Sequence, residues 1–119
     1  MNTKLKETLV GSFIISLIAI VGGQVIKYIV QIKRPCVEAS TCVGSWFGPY
    51  DVPSLHAAVA FGLALYLSIR YPKYRTLVYL IAIGVMLQRV LYGVHSWTGV
   101  ITGAIFGLIV AYVYCRVHI

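Results

Sequence analysis

Residues 97–115, WTGVITGAIFGLIVAYVYC, decide the fold of this chain. The run carries no formal charge and is long enough, at about 1.5 Å per helical residue, to cross a bilayer core of roughly 30 Å. Small residues recur at every fourth position, and in a helix they would form one stripe that lets a neighbour approach closely. The stripe consists of Gly99, Gly103, Gly107 and Ala111. It predicts a tightly packed membrane helix and also offers a surface for a homo-oligomer.

The composition supports a membrane protein throughout. Of 119 residues, 60% are hydrophobic, and only 10 basic and 3 acidic residues carry a formal charge. Such a chain cannot cover a water-soluble surface with polar groups. The net charge of +7 does not indicate a nucleic-acid partner, because several basic residues lie at the ends of apolar runs. We expect one membrane-embedded domain over residues 1–119, with the lipid bilayer as its partner.

Four apolar runs predict an all-α integral membrane protein, a four-transmembrane-helix bundle. The first run, between Glu7 and Lys27, is too long for a signal peptide, and its helical pattern extends to Arg34, where Pro35 stops it. The second begins near Pro53 and Ser54. The spans are 7–27, 54–70 and two within 76–115 that divide at 92–96, with one long loop at 35–53.

The basic residues predict the orientation, because cytoplasmic ends carry an excess of lysine and arginine. Six fall on one side and four on the other. The first group is Lys4, Lys6, Arg70, Lys73, Arg75 and Arg116; the second is Lys27, Lys33, Arg34 and Arg89. We therefore expect a multi-pass protein of the cell membrane with both termini cytoplasmic and the long loop extracytoplasmic. Within this loop Cys36 and Cys42 form a disulfide or remain free thiols, and the sequence favours neither.

This threading brings six polar residues to the extracytoplasmic end of the bundle. Cations and a helix start can hold a phosphate dianion, and histidines can carry out chemistry. The six are Lys27, Arg34, Ser54, His56, Arg89 and His95. Taken singly, the cations are more often interfacial anchors, Ser54 a helix cap, and the histidines satisfied polar groups. No tight ligand spacing suggests a metal, and no cofactor is expected.

Three of these segments carry a family resemblance. Residues 27–35 fit K-x6-R-P, residues 53–56 fit P-S-x-H, and Arg89 and His95 fit R-x5-H. In this order they resemble the signature of the type 2 phosphatidic acid phosphatase superfamily, which includes lipid phosphatases and vanadium haloperoxidases. Members often have six spans, so the resemblance implies a minimal four-helix core of the phosphatase superfamily.

The resemblance also implies roles for single residues. His95 would attack phosphorus to form a phosphohistidine, and His56 would protonate the leaving group. The phosphate oxygens would be held by Lys27, Arg34, Ser54, Arg89 and the amide of Leu55. The implied substrate is a phosphorylated membrane lipid, of the phosphatidic acid, phosphatidylglycerol phosphate or isoprenyl diphosphate type.

One departure from the family pattern matters for activity. The third motif continues as R-x5-H-x3-D, and Gly99 stands where the aspartate should be. A carboxylate one helical turn after His95 would orient its imidazole, so its loss predicts an attenuated or inactive enzyme that Gly99→Asp would improve. Asp51, close to Ser54 in sequence, is the better of the remaining acids to replace it. A non-catalytic phospholipid- or phosphate-binding membrane protein is the alternative function, and a transporter or assembly subunit is a third.

Overall fold

The computed structural model describes residues 2–33, 50–93 and 95–118. Within these ranges the chain forms four α-helices and one 3-10 turn. The helices are α1 (Thr3–Val30), α2 (Leu55–Arg70), α3 (Arg75–Leu91) and α4 (Trp97–His118), and the 3-10 turn is Pro72–Tyr74. The predicted all-α architecture is confirmed, and the second and fourth helices begin where the sequence places them.

Three of the four helices that the structure describes are long and apolar enough to cross a membrane. These are α1, α3 together with the turn that precedes it, and α4. Helix α2 is apolar but has 16 residues, which gives a length of about 24 Å against a hydrocarbon core of roughly 30 Å. A multi-pass membrane protein is compatible with these lengths. The crossing of α2 as a complete fourth span stays a prediction.

Helix α2 lies at the centre of the bundle, because it packs extensively against each of the three other described helices. Its buried positions include Ala57, Ala58, Gly62 and Ala64, whose small side chains leave room for the neighbouring backbones. The outer helices instead expose large apolar side chains such as Phe13 on α1. An apolar outer surface around a tightly packed centre is what a lipid environment favours.

The helices alternate in direction, which brings both ends of the chain to one end of the bundle. At that end Tyr66 on α2 donates a hydrogen bond to the Glu7 carbonyl on α1 (3.1 Å), and Arg70 pairs with the Glu7 carboxylate at 3.3 Å. A cleft of about 500 Å³ there is lined by residues near both ends of the chain, including Thr3 and His118. The last turns of α1 and α3 and the first turns of α2 and α4 therefore lie at the opposite end.

The glycine stripe of α4 packs against the start of α2 and the residues just before it. A Cβ atom added at Gly99 would overlap the Asp51 carboxylate, one at Gly103 would overlap the Ser54 carbonyl, and one at Gly107 the Ala58 carbonyl. The predicted close helix packing is confirmed. The three glycines pack against α2 and the residues just before it in the same chain. A homo-oligomer through the stripe stays a prediction.

The first helix is shorter than the sequence pattern suggested. It ends at Val30, and Gln31 adopts a left-handed conformation (φ 54°) while its N–H donates to the Lys27 carbonyl. The chain then pairs with the far end of the loop, because the Asp51 N–H donates to the Ile32 carbonyl (2.6 Å). The prediction of one continuous helix to Arg34 is therefore wrong. Arg34 itself, with Cys36 and Cys42, lies outside the described residues.

We predict that Gly107→Ala destabilises the bundle, because the added methyl overlaps the Ala58 carbonyl and must push α4 away from α2. Overpacking of this kind costs about 1–3 kcal/mol. Thermal unfolding in detergent measures the effect. Gly84→Ala is the matched control, since a Cβ there meets no atom within 4 Å, and it should be neutral or slightly stabilising. Equal melting temperatures for the two variants would contradict the packing of the stripe.

Candidate active site

Two buried cations lie at the end of the bundle opposite the chain termini. Lys27 occupies the last turn of α1 and is 0% exposed, and Arg89 occupies the last turn of α3 and is 5% exposed. A cation that is buried within an apolar helical bundle is costly unless it has a function or a partner, and such residues mark sites in membrane proteins. Neither residue is the exposed interfacial anchor that it would be by default.

The first turn of α2 supplies the second group of polar atoms at this end. Ser54 is the N-cap of α2: its hydroxyl oxygen accepts the Ala57 N–H at 3.3 Å, and its own proton can still be donated to an oxyanion. The Leu55 amide is the first of the helix, where N–H groups have no partner within the helix. His56 follows in the same turn and is half-buried. Ser54 is thus a helix cap and also lies among the predicted site residues.

The turn between α3 and α4 explains the spacing of Arg89 and His95. Helix α3 ends at Leu91, and Gly93 adopts a positive φ of 71°, which glycine accommodates without steric cost. The His95 N–H then donates to the Arg89 carbonyl at 3.2 Å. Five intervening residues are therefore what this turn needs to bring the arginine and the histidine to the same end of the bundle.

His95 is paired with Asp51, from the residues that precede α2. Its Nδ1 lies 2.8 Å from the Asp51 carboxylate oxygen Oδ1 and 3.0 Å from the Asp51 carbonyl oxygen. A carbonyl and an ionised carboxylate are both acceptors, so Nδ1 must carry the hydrogen. The neutral ring then has its lone pair on Nε2, the form that a nucleophilic histidine requires. The imidazole is 2% exposed, which holds this geometry away from water.

Ser96 completes the surroundings of the Asp51 carboxylate. Its N–H donates to both carboxylate oxygens, at 3.1 and 3.3 Å, and its hydroxyl donates to Oδ2. Burial raises the pKa of Asp51, but the hydrogen bonds from His95 and Ser96 outweigh it and hold that pKa below its usual value. The start of α4 adds the positive end of a helix dipole. The carboxylate is therefore ionised at neutral pH.

Gly99 lies directly beside this pair. A side chain at position 99 would occupy the space that the Asp51 carboxylate fills. The expectation of attenuation assumed that no carboxylate accompanied His95, and the Asp51–His95 contact removes that assumption. The expected benefit of Gly99→Asp is not retained, because the new carboxylate would overlap the existing one.

The structure brings most of the predicted site residues together. Five lie at one end of the bundle: Lys27, Ser54, His56, Arg89 and His95. Leu55 joins them, and its side chain packs against Gly23. Arg34 is outside the described residues. Ser96 was missed by sequence reasoning, although a serine just before an apolar helix is a recognisable N-cap signal.

Buried cations, a helix start and an oriented imidazole lie together at one end of an apolar helical bundle, a set of groups that can bind an oxyanion. The comparison with family models agrees. Residues 8–119 match the model of the PAP2 superfamily, and the chain belongs to this superfamily. Membership supports a phosphatase-type activity. Comparison with curated proteins and with solved structures gave no significant match.

We predict that the Asp51 carboxylate stabilises the fold in a pH-dependent way. Its folded-state pKa is lowered from 3.8, so its contribution is fully present above that value and is lost as pH falls through the folded pKa. Removing it by Asp51→Ala strands buried donors and should cost about 1–3 kcal/mol at pH 6. Thermal unfolding of both proteins should show that this difference shrinks towards pH 3. A difference that is constant from pH 6 to pH 3 would contradict the ionised pair.

Proposed function

We propose that this chain is a membrane phosphatase that hydrolyses a lipid phosphate or diphosphate through a phosphohistidine at His95. One observation carries the proposal: the end of the bundle that buries Lys27 and Arg89 also buries His95, whose Nδ1 lies 2.8 Å from the Asp51 carboxylate. Fixed cations bind the phosphate and stabilise the charge that develops on its oxygens. An oriented neutral imidazole supplies the attacking atom.

The proposed reaction has two steps. Nε2 of His95 attacks phosphorus, the phosphorus–oxygen bond to the lipid breaks, and His56 gives its proton to the leaving oxygen. A water molecule, deprotonated by His56, then attacks the phosphohistidine and releases inorganic phosphate, which restores both histidines. Ser54, the Leu55 amide and Arg34 would assist in holding the phosphate oxygens, the last by its match to K-x6-R-P. No metal or cofactor takes part in this scheme.

A lipid substrate fits the surroundings of the site. Large apolar side chains on the outer helices are exposed, among them Leu91 and Trp97, which flank the turn that carries His95. A phosphorylated lipid in the adjacent leaflet would present its head group at the level of the helix ends, with its chains against these side chains. Phosphatidic acid, phosphatidylglycerol phosphate and isoprenyl diphosphates all meet this description. We propose that residues 1–119 act as one domain.

Phosphate release from detergent-dispersed lipid phosphates tests the proposal. We predict that His95→Gln abolishes release, since no nucleophile remains, while phosphate binding persists. Lys27→Met and Arg89→Met should each weaken phosphate binding about 10- to 100-fold, as expected for charge-assisted hydrogen bonds. Inorganic phosphate titrated against the purified protein measures the binding.

Matched controls come from the other end of the bundle. His118→Gln and Lys73→Met alter an exposed histidine and an exposed lysine at the end of the bundle that holds the chain termini. Both variants should leave phosphate release and phosphate binding unchanged. A chain that binds phosphate tightly but releases none from any lipid would be a binding protein. Full release from His95→Gln would show that another group is the nucleophile.

We further propose that the site end of the bundle is extracytoplasmic, with both termini in the cytoplasm. Single cysteines in a cysteine-free background can test this, because Tyr92 at the site end is 60% exposed and Tyr74 at the other end is 49% exposed. A membrane-impermeant maleimide applied to intact cells should label Tyr92→Cys and spare Tyr74→Cys. The reverse pattern would invert the orientation.

A further inference from the structure

We infer that Asp51 is the positioning residue for His95 and that Gly99 is required because its missing side chain leaves the space for the Asp51 carboxylate. The orienting carboxylate thus comes from the end of the long loop, and α4, which follows the histidine, leaves the space for it at Gly99. The inference rests on the proposed function, since it assigns the group that prepares the proposed nucleophile.

The first support is the geometry of the acceptors around His95. Both Asp51 atoms that face Nδ1, the carbonyl oxygen and Oδ1, lie within 3.0 Å of it. Each can only accept a hydrogen bond. Together they fix the position of the ring proton and the rotation of the ring, which is the function of a positioning carboxylate.

The second support is that Asp51 is itself fixed. Its N–H donates to the Ile32 carbonyl, and its carboxylate accepts from the Ser96 N–H and hydroxyl. Ser96 in turn accepts the Gly99 N–H at 3.1 Å. Because hydrogen bonds fix both the backbone and the carboxylate of Asp51, this residue needs little reorganisation when the imidazole becomes cationic during the reaction.

The third support is steric. A Cβ at position 99 would overlap Asp51 Oδ1 and lie 2.8 Å from Asp51 Cγ. These atoms belong to a packed side chain with 3% exposure, so they cannot move aside into solvent. Positions 51 and 99 therefore share one volume, in which only one carboxylate fits.

The test compares kcat and KM of six variants with the parent, using dioctanoyl phosphatidic acid in detergent micelles. Asp51→Asn should lower kcat at least about 100-fold, since the amide can donate to Nδ1 and favour the wrong tautomer. KM should stay within about threefold, because the cations that bind phosphate are untouched.

The glycine is tested by Gly99→Ala, which should lower kcat by displacing the carboxylate, with Gly84→Ala as the neutral control. Glu7→Gln controls for loss of a carboxylate, since Glu7 pairs with Arg70 at the other end of the bundle. The double variant Asp51→Ala, Gly99→Asp should be faster than Asp51→Ala alone, because the emptied volume can accept a carboxylate from α4. A folded double variant that is no faster than Asp51→Ala would overturn the inference that positions 51 and 99 share one volume.

A spectroscopic readout separates this inference from the proposed function. The ¹⁵N shifts of the His95 imidazole, assigned by comparison with His95→Gln, should show Nδ1 protonated in the parent and a changed tautomer in Asp51→Asn. If this change occurs but no lipid phosphate is hydrolysed, the positioning role stands and the proposed function fails. If His95→Gln abolishes release while folded Asp51→Asn keeps the parent's kcat and tautomer, the positioning role is overturned and the proposed function stands.

Discussion

The structure depends on the close approach of α4 to the start of α2. Three glycines spaced four apart face backbone atoms or a carboxylate where other residues would place a methyl group. This approach permits the hydrogen bond from the Ser54 N–H to the Gly99 carbonyl (2.9 Å), which joins the two helix starts directly. Because Ser54 and Asp51 lie on one side of that contact and His95 on the other, helix packing and site geometry are set by the same residues.

The approach of α4 to the start of α2 also stabilises a buried polar site inside an apolar bundle. Burying a charge is costly unless it is paired and hydrogen-bonded, and here the Asp51 carboxylate has donors from His95 and Ser96 together with the dipole of α4. The described part of the site holds two buried cations, Lys27 and Arg89, and this one carboxylate. An oxyanion bound here would meet a net positive charge from these described residues.

Much of this organisation is readable from the sequence, and the reasons for success and failure differ. Local signals predict where two helices begin: the cap Ser54 precedes α2, and a charge-free run begins α4 at Trp97. Neighbouring elements do not override these signals. The end of α1 does not follow from local signals, because Ile32 forms its backbone hydrogen bond with Asp51, 19 positions away. The contact between Asp51 and His95 does not follow from local signals either, because the two residues lie 44 positions apart. A motif compares positions along the chain, whereas the space next to His95 is filled from a distant segment.

The pairing of residues 32–33 with residues 50–51 has a consequence for how such a protein can diversify. Lys33 and Tyr50 form an isolated antiparallel bridge, so the chain leaves and re-enters the bundle at adjacent points. The entropic cost of closing a loop grows only slowly with the length of the loop. The bridge fixes the position of Asp51 whatever that length is. The residues between Pro35 and Tyr50 can therefore be lengthened, shortened or exchanged without moving Asp51 away from His95.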